Sequence, residues 1–134
     1  MSVIMGGRST GPTTVELRHE SGAVIKTTAP KDNGGDGSGF SPTDLCAASL
    51  GACGATIMGM FAANHGIALE GIEFELRKEM ASAPRKIARI EVAFRLRGAF
   101  SDADFKKLVA AGKACPVRLT LDGNVEIVDS YERA

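Results

Sequence analysis

The sequence predicts an α+β domain with largely antiparallel sheet, in the order β-β-α-β-β-α-β. Three observations carry this. Short segments with alternating apolar and polar residues recur at both ends of the chain. Turn residues separate them into adjacent pairs, as hairpins require. A single long uncharged stretch, with helix-start and helix-stop signals at its ends, lies between the two strand pairs.

The elements follow in order. Thr13 to His19 alternates, with Val15 and Leu17 on one face, and Glu20-Ser21-Gly22 turns the chain into a returning strand, Ala23 to Thr28. The segment APKDNGGDGSGF is rich in Gly and Asp. It lacks the spacing of a phosphate-binding loop and reads as a mobile connector. Ser41 is suited to cap a helix, Pro42 to its first position, and Asp44 to the first turn, where a carboxylate faces the positive end of the helix dipole. The helix is expected to run to Asn64-His65 and to stop at Gly66 in a left-handed conformation. Leu45 to Ala63 holds no charged residue, which raises the possibility of a membrane span. It is rich in Ala and Gly, poor in Leu, Ile and Val, and flanked by amphipathic strands, so a helix buried on most sides is expected instead. Its small residues would also let another helix, including that of a second subunit, approach closely.

Ile72, Phe74 and Leu76 alternate with charged residues. After Ala-Ser-Ala-Pro, Ile90, Val92, Phe94 and Leu96 alternate in the same way, giving two half-buried antiparallel strands. Ser101 and Asp104 resemble a capping box opening a short helix with Phe105, Leu108 and Val109 inward and Gly112 near its end. A short apolar turn through Leu119 and Leu121 follows, and Asp122-Gly123-Asn124 leads into a last strand, Val125 to Val128.

The chain of 134 residues is expected to form a single domain, 1–134. Sixteen Lys and Arg balance sixteen Asp and Glu. This gives no electrostatic argument for nucleic acid or an anionic membrane surface. The opening MSVIMGGRSTG lacks the pattern of a secretory leader. Three cysteines are an odd count for a disulfide scaffold, and a reducing, cytoplasmic compartment is the expectation. No CxxC or HxxxH spacing points to zinc, and nothing implies an organic cofactor.

Function is carried by the cysteines. Cys53 lies in the middle of the predicted helix and Cys115 precedes Pro116, whose ring stiffens the backbone there. Cys46 and Cys53 are about 10 Å apart along a helix, beyond disulfide reach. Any internal bridge from Cys53 would therefore go to Cys115, and Cys46 reads as a packing residue. Two such thiols suit redox chemistry in which one sulfur attacks and the other resolves the oxidised product. Cys53 is too far from the helix N-terminus for the dipole to activate it, so a cation is needed. Arg8 and Arg18 are the N-terminal candidates. His65, beside Gly66, reads as a helix-end residue.

GFSPTDLCAASLGACGATIMGMFAANHGI followed by KACPVRLTL closely resembles the OsmC/Ohr family of thiol-dependent peroxidases, from GGR near the N-terminus to the last strand. The resemblance implies sheets wrapped around a long central helix in an intertwined homodimer, with active sites at the subunit interface. It implies Cys53 as the peroxide-attacking cysteine, Cys115 as the resolving one, and Arg8 as the arginine that stabilises the thiolate. A small organic hydroperoxide or hydrogen peroxide would be the substrate, and an external dithiol the reductant. One departure stands out. Where the family has a glutamate after the helix-opening proline, this chain has Thr43, and Asp44 would face away from Cys53. A partner-chain acid such as Glu79 could take its place. The alternative expectation is a non-catalytic dimer that binds a ligand or senses redox state.

Overall fold

The computed structural model describes residues 1–134, which form two compact units, Met1–Cys46 and Ala47–Ala134. The first holds a three-stranded antiparallel meander, β1 (Met5–Ser9), β2 (Thr14–His19) and β3 (Val24–Thr28). Strand β1 was not expected, because MGGRS carries no apolar alternation; its pairing with β2, Met5 opposite His19 through Ser9 opposite Val15, makes it a strand. Ile4, Met5, Val24 and Ile25 are exposed in the single chain. The Gly- and Asp-rich segment contains one 3-10 turn, Lys31–Asn33, and Gly34 and Gly37 take left-handed conformations.

Helix α1 (Pro42–Asn64) begins and ends where its sequence signals predict. The Ser41 hydroxyl accepts the Asp44 N–H at 3.0 Å, and the Asp44 carboxylate accepts the Ser41 N–H at 3.0 Å. This reciprocal cap satisfies two backbone donors at the helix start. At the other end Gly66 has φ 63°, and the Ile67 N–H reaches back to the Ala62 carbonyl at 3.0 Å, a Schellman closure. By length and composition α1 could cross a membrane. Its Ala47, Leu50, Gly51, Gly54, Met58 and Ala62 are buried within the protein. The expectation of burial on most sides does not hold for the single chain: Ala52, Thr56, Met60 and Ala63 are exposed, because the second unit's sheet and its helix Asp102–Lys113 cover the face that carries Leu50, Gly54 and Met58.

In the second unit β4 (Leu69–Ser82) and β5 (Arg85–Gly98) form a long antiparallel hairpin turned at Ala83–Pro84. Strand β6 (Glu126–Arg133) pairs with β5 in parallel, and the order is β4-β5-β6. Parallel neighbours need a crossover. It is supplied by α2 (Asp102–Lys113), capped by Ser101 as expected, and by α3 (Pro116–Leu121), a helix where the sequence predicts a turn. The central strand β5 supplies much of the core through Ile90, Val92, Phe94 and Leu96.

The glycines of α1 set its distance from this sheet. A Cβ at Gly51 would collide with the ring of Phe74, and one at Gly54 would lie 2.8 Å from Phe94 Cζ. Phe74, Phe94 and Tyr131 are register neighbours on β4, β5 and β6, so one aromatic row crosses the sheet beneath the helix. Phe94 and Tyr131 stack with centroids 5.0 Å apart. Phe74 is 37% exposed despite touching α1, since β4 is an edge strand with nothing beyond it in the sheet. Further along α1, Met58 packs on Gly112 of α2.

Candidate paired-thiol site

Both members of the thiol pair belong to the second unit. Cys53 projects from the middle of α1, next to Gly54, and is partly exposed. Cys115 stands between α2 and α3 and is 1% exposed. It caps α3: its Sγ accepts the Arg118 N–H at 3.3 Å, a role usually taken by Ser, Thr, Asp or Asn, with Pro116 in the first helical position. Cys53 packs against the buried cluster that contains Cys115, and its side chain is near enough to act on the Cys115 thiol as a polar neighbour. No disulfide joins any of the three cysteines.

Electrostatics separates the pair. Burial pushes the Cys115 thiol above its ordinary value. The Arg118 N–H pulls the other way, and the contact with Cys53 adds to the rise. Cys115 is thus a protonated thiol near neutral pH, out of reach of solvent. Cys53 is the sulfur that an incoming molecule can meet. Cys46 is half-buried on the helix, in the first unit.

Behind Cys115 lies a polar network the sequence reading missed. Arg118 Nη1 and Asp129 Oδ2 are 2.6 Å apart, and the Tyr131 hydroxyl donates to the same oxygen at 2.8 Å. Asp129 is only 9% exposed and Arg118 23%. Burial first, then the Asp129 carboxylate, raises the Tyr131 phenol well above its usual range, and Cys115 contributes to the same rise. The expected end of the last strand at Val128 excluded Asp129 and Tyr131; the strand runs on to Arg133. The available signal was the continued period of two through Ile127, Asp129 and Tyr131, broken in polarity at Asp129. Arg118 stands three residues after Cys115, where a capping side chain meets a backbone N–H.

Arg8 lies on β1 of the first unit, its side chain 72% exposed, with Nε 3.4 Å from Glu16 Oε1. Arg18, the other N-terminal candidate, reaches the same Glu16 oxygen at 3.1 Å. One acid therefore holds both candidate arginines. Thr43, the residue after the helix-opening Pro42, shares a 3.1 Å hydrogen bond with Ser41 inside the helix cap. Glu79, on β4, is 3.5 Å from Arg89. No group of three or more His, Cys, Asp or Glu side chains converges to hold a metal ion.

The model of the OsmC-like protein family matches residues 35–128, which include α1, Cys53, Cys115 and Arg118. The chain belongs to the OsmC-like family. No protein with a curated description matches it significantly. Among solved structures, an osmotic stress induced and detoxification response protein of Psychrobacter arcticus is 30% identical, with a TM-score of 0.88 over 98% of this chain and 96% of that one. An organic hydroperoxide resistance protein OsmC of Legionella pneumophila is 23% identical, with a TM-score of 0.72 over 98% and 97% of the two chains. An OsmC-like protein of Mycoplasma pneumoniae is 15% identical yet reaches 0.83 over 100% and 98%. The last two likenesses are of fold. The OsmC-like architecture of two three-stranded sheets and a long helix is thus shared across low sequence identity.

Proposed function

We propose that this OsmC-like protein is a thiol-dependent peroxidase acting on organic hydroperoxides or hydrogen peroxide. The observation that carries the reading is the packing of a partly exposed Cys53 against the cluster that holds the buried Cys115, whose thiol burial pushes up. The Cys53 thiolate attacks the terminal oxygen of the hydroperoxide and the O–O bond breaks. The alkoxide takes a proton from solvent and leaves as the alcohol, and Cys53 becomes a sulfenic acid. Cys115 then displaces the hydroxyl as water, closing the disulfide, and an external dithiol reduces it. Arg8 is the proposed stabiliser of the thiolate, on the strength of its place in GGRST. A homodimer in the cytoplasm is the proposed working form, without nucleic acid or membrane as partner.

The test is quantitative. Adding an alkyl hydroperoxide to the reduced protein is expected to remove two thiols per chain and yield a Cys53–Cys115 linked peptide. Cys53→Ser abolishes peroxide consumption, Cys115→Ser leaves a sulfenic acid that a dimedone probe captures, and Arg8→Ala slows the first step. Unchanged consumption in Cys53→Ser refutes the proposal. Thr43, engaged in the helix cap, favours a second reading in which the dimer senses redox state or binds a ligand without turnover. A second-order rate no faster than that of free cysteine selects it.

A further inference from the structure

We infer that Arg118, Asp129 and Tyr131 are positioning residues for Cys115, holding its sulfur against Cys53 and so setting how readily the disulfide closes. This rests on the paired-thiol reading above. A bridge forms only when the two Cβ atoms come within about 3.5–4.5 Å, so small shifts of α3 matter. Helix α3 has six residues, far too few to hold its own conformation. Arg118 fastens it at two levels. Its N–H binds the Cys115 sulfur, and its guanidinium binds Asp129 on β6.

The far end of this link is equally fixed. The Asp129 carboxylate sits in the interior and needs both of its donors, because a buried charge that loses a partner is strongly destabilised. The second donor, Tyr131, is held by stacking on Phe94, and Phe94 abuts Gly54, the residue next to Cys53. Contacts therefore run without a gap from one sulfur to the other: Cys115, Arg118, Asp129, Tyr131, Phe94, then α1 at Gly54 and Cys53. The other arginine pairs of this sheet, such as Arg89 with Glu91 and Arg95 with Glu132, lie among more exposed side chains. In the closing step Cys53–SOH and Cys115–SH give the disulfide and water. The S–O and S–H bonds break, the S–S bond forms, and the proton leaves with the hydroxyl. The positioning residues exchange no atoms.

The deciding experiment does not depend on peroxidase activity. The reduced protein is equilibrated with mixtures of oxidised and reduced glutathione, in which two thiols and one glutathione disulfide give the Cys53–Cys115 bond and two glutathione thiols. Asp129→Asn and Arg118→Gln are expected to lower that equilibrium constant about tenfold, a shift of about 30 mV. Tyr131→Phe, which keeps the ring stack and the fold, lowers it roughly threefold, and Arg118→Lys recovers part of the loss. In single-turnover oxidation by cumene hydroperoxide the same variants lengthen the sulfenic acid's life without slowing its formation in proportion. An unchanged equilibrium constant in folded Tyr131→Phe and Asp129→Asn overturns the inference, as does equal slowing of both steps. If the unaltered protein closes its disulfide in glutathione but forms no sulfenic acid with hydroperoxide, the peroxidase reading fails alone. The positioning role is then still decided by the glutathione equilibrium.

Discussion

Replacing Gly54 by Ala tests whether the glycines of α1 set its seat on the sheet. A methyl there would lie 2.8 Å from Phe94 Cζ and 3.3 Å from Cε1, against the 3.5–4.0 Å of comfortable carbon contact. Something must yield by more than half an ångström. Phe94 cannot yield easily: it is 2% exposed, with Phe74 on one side and Tyr131 stacked on the other. Overpacking of this kind costs about 1–3 kcal/mol. Helix propensity opposes it, since Ala is better than Gly by about 1 kcal/mol. The right comparison is Gly59→Ala in the same helix, where a Cβ meets nothing of its own chain within 4 Å and the groove beside it has room for a methyl, so that the propensity gain remains. The propensity term cancels in the difference, leaving Gly54→Ala less stable than Gly59→Ala by about 1–3 kcal/mol, or roughly 4–12 °C in melting temperature for a chain of this size. Gly51→Ala should fall between them. Its clash is closer, but Phe74 is partly exposed on an edge strand and can swing aside. Melting followed by circular dichroism on the three reduced proteins is sufficient. Gly54→Ala melting at or above Gly59→Ala would refute the argument that the glycines determine the contact.

Stability should also depend on alkaline pH. Burial raises Cys115 above its ordinary 9.0 and Tyr131 above its ordinary 10.0, so the folded chain holds both protons more tightly than the unfolded one. Their contribution is complete below the unfolded values and is lost as pH climbs from about 9 through the raised folded values; melting temperature should be flat from pH 7 to 9 and fall beyond, less steeply in Tyr131→Phe. Gly59→Leu probes the proposed homodimer. Ala55, Gly59, Ala63 and Ile67 border a groove beside α1, and a leucine at 59 has room in the single chain. If a second α1 packs there, light scattering should show the variant shifted toward monomer with its circular dichroism intact, and an unshifted dimer would place the interface elsewhere.

What was legible in the sequence was what is local. Helix α1 could be bounded from Ser41, Pro42, Asp44 and Gly66 because capping is decided within a few residues. The hairpin of β4 and β5 was legible because one of its faces is apolar at every second residue. Strand β1 was hidden because MGGRS becomes a strand only by pairing with β2. Helix α3 was hidden because its cap is a cysteine, which is not among the usual capping residues. The reading of β6 stopped at Val128 because a carboxylate then occupies the inward position. Asp129 belongs there only because Arg118 and Tyr131 meet it in the fold. The parallel pairing of β6 with β5 follows from the α2–α3 crossover, which no local pattern announces.

The same distinction explains why the site reads as a pair of thiols in sequence and as something larger in structure. The cysteine positions are visible in isolation; their contact is not a property of either segment. It follows from the aromatic row on the sheet, on which α1 settles through Gly51 and Gly54, and from the ion pair that draws the first turn of α3 to β6. Both devices end on Tyr131, whose ring supports the first and whose hydroxyl supports the second. A change at this one residue therefore reaches both sulfurs by separate routes. Tyr131→Phe cuts only the polar route and Tyr131→Ala cuts both. The gap between these two variants in disulfide equilibrium measures how much of the thiol contact the helix seat contributes apart from the ion pair.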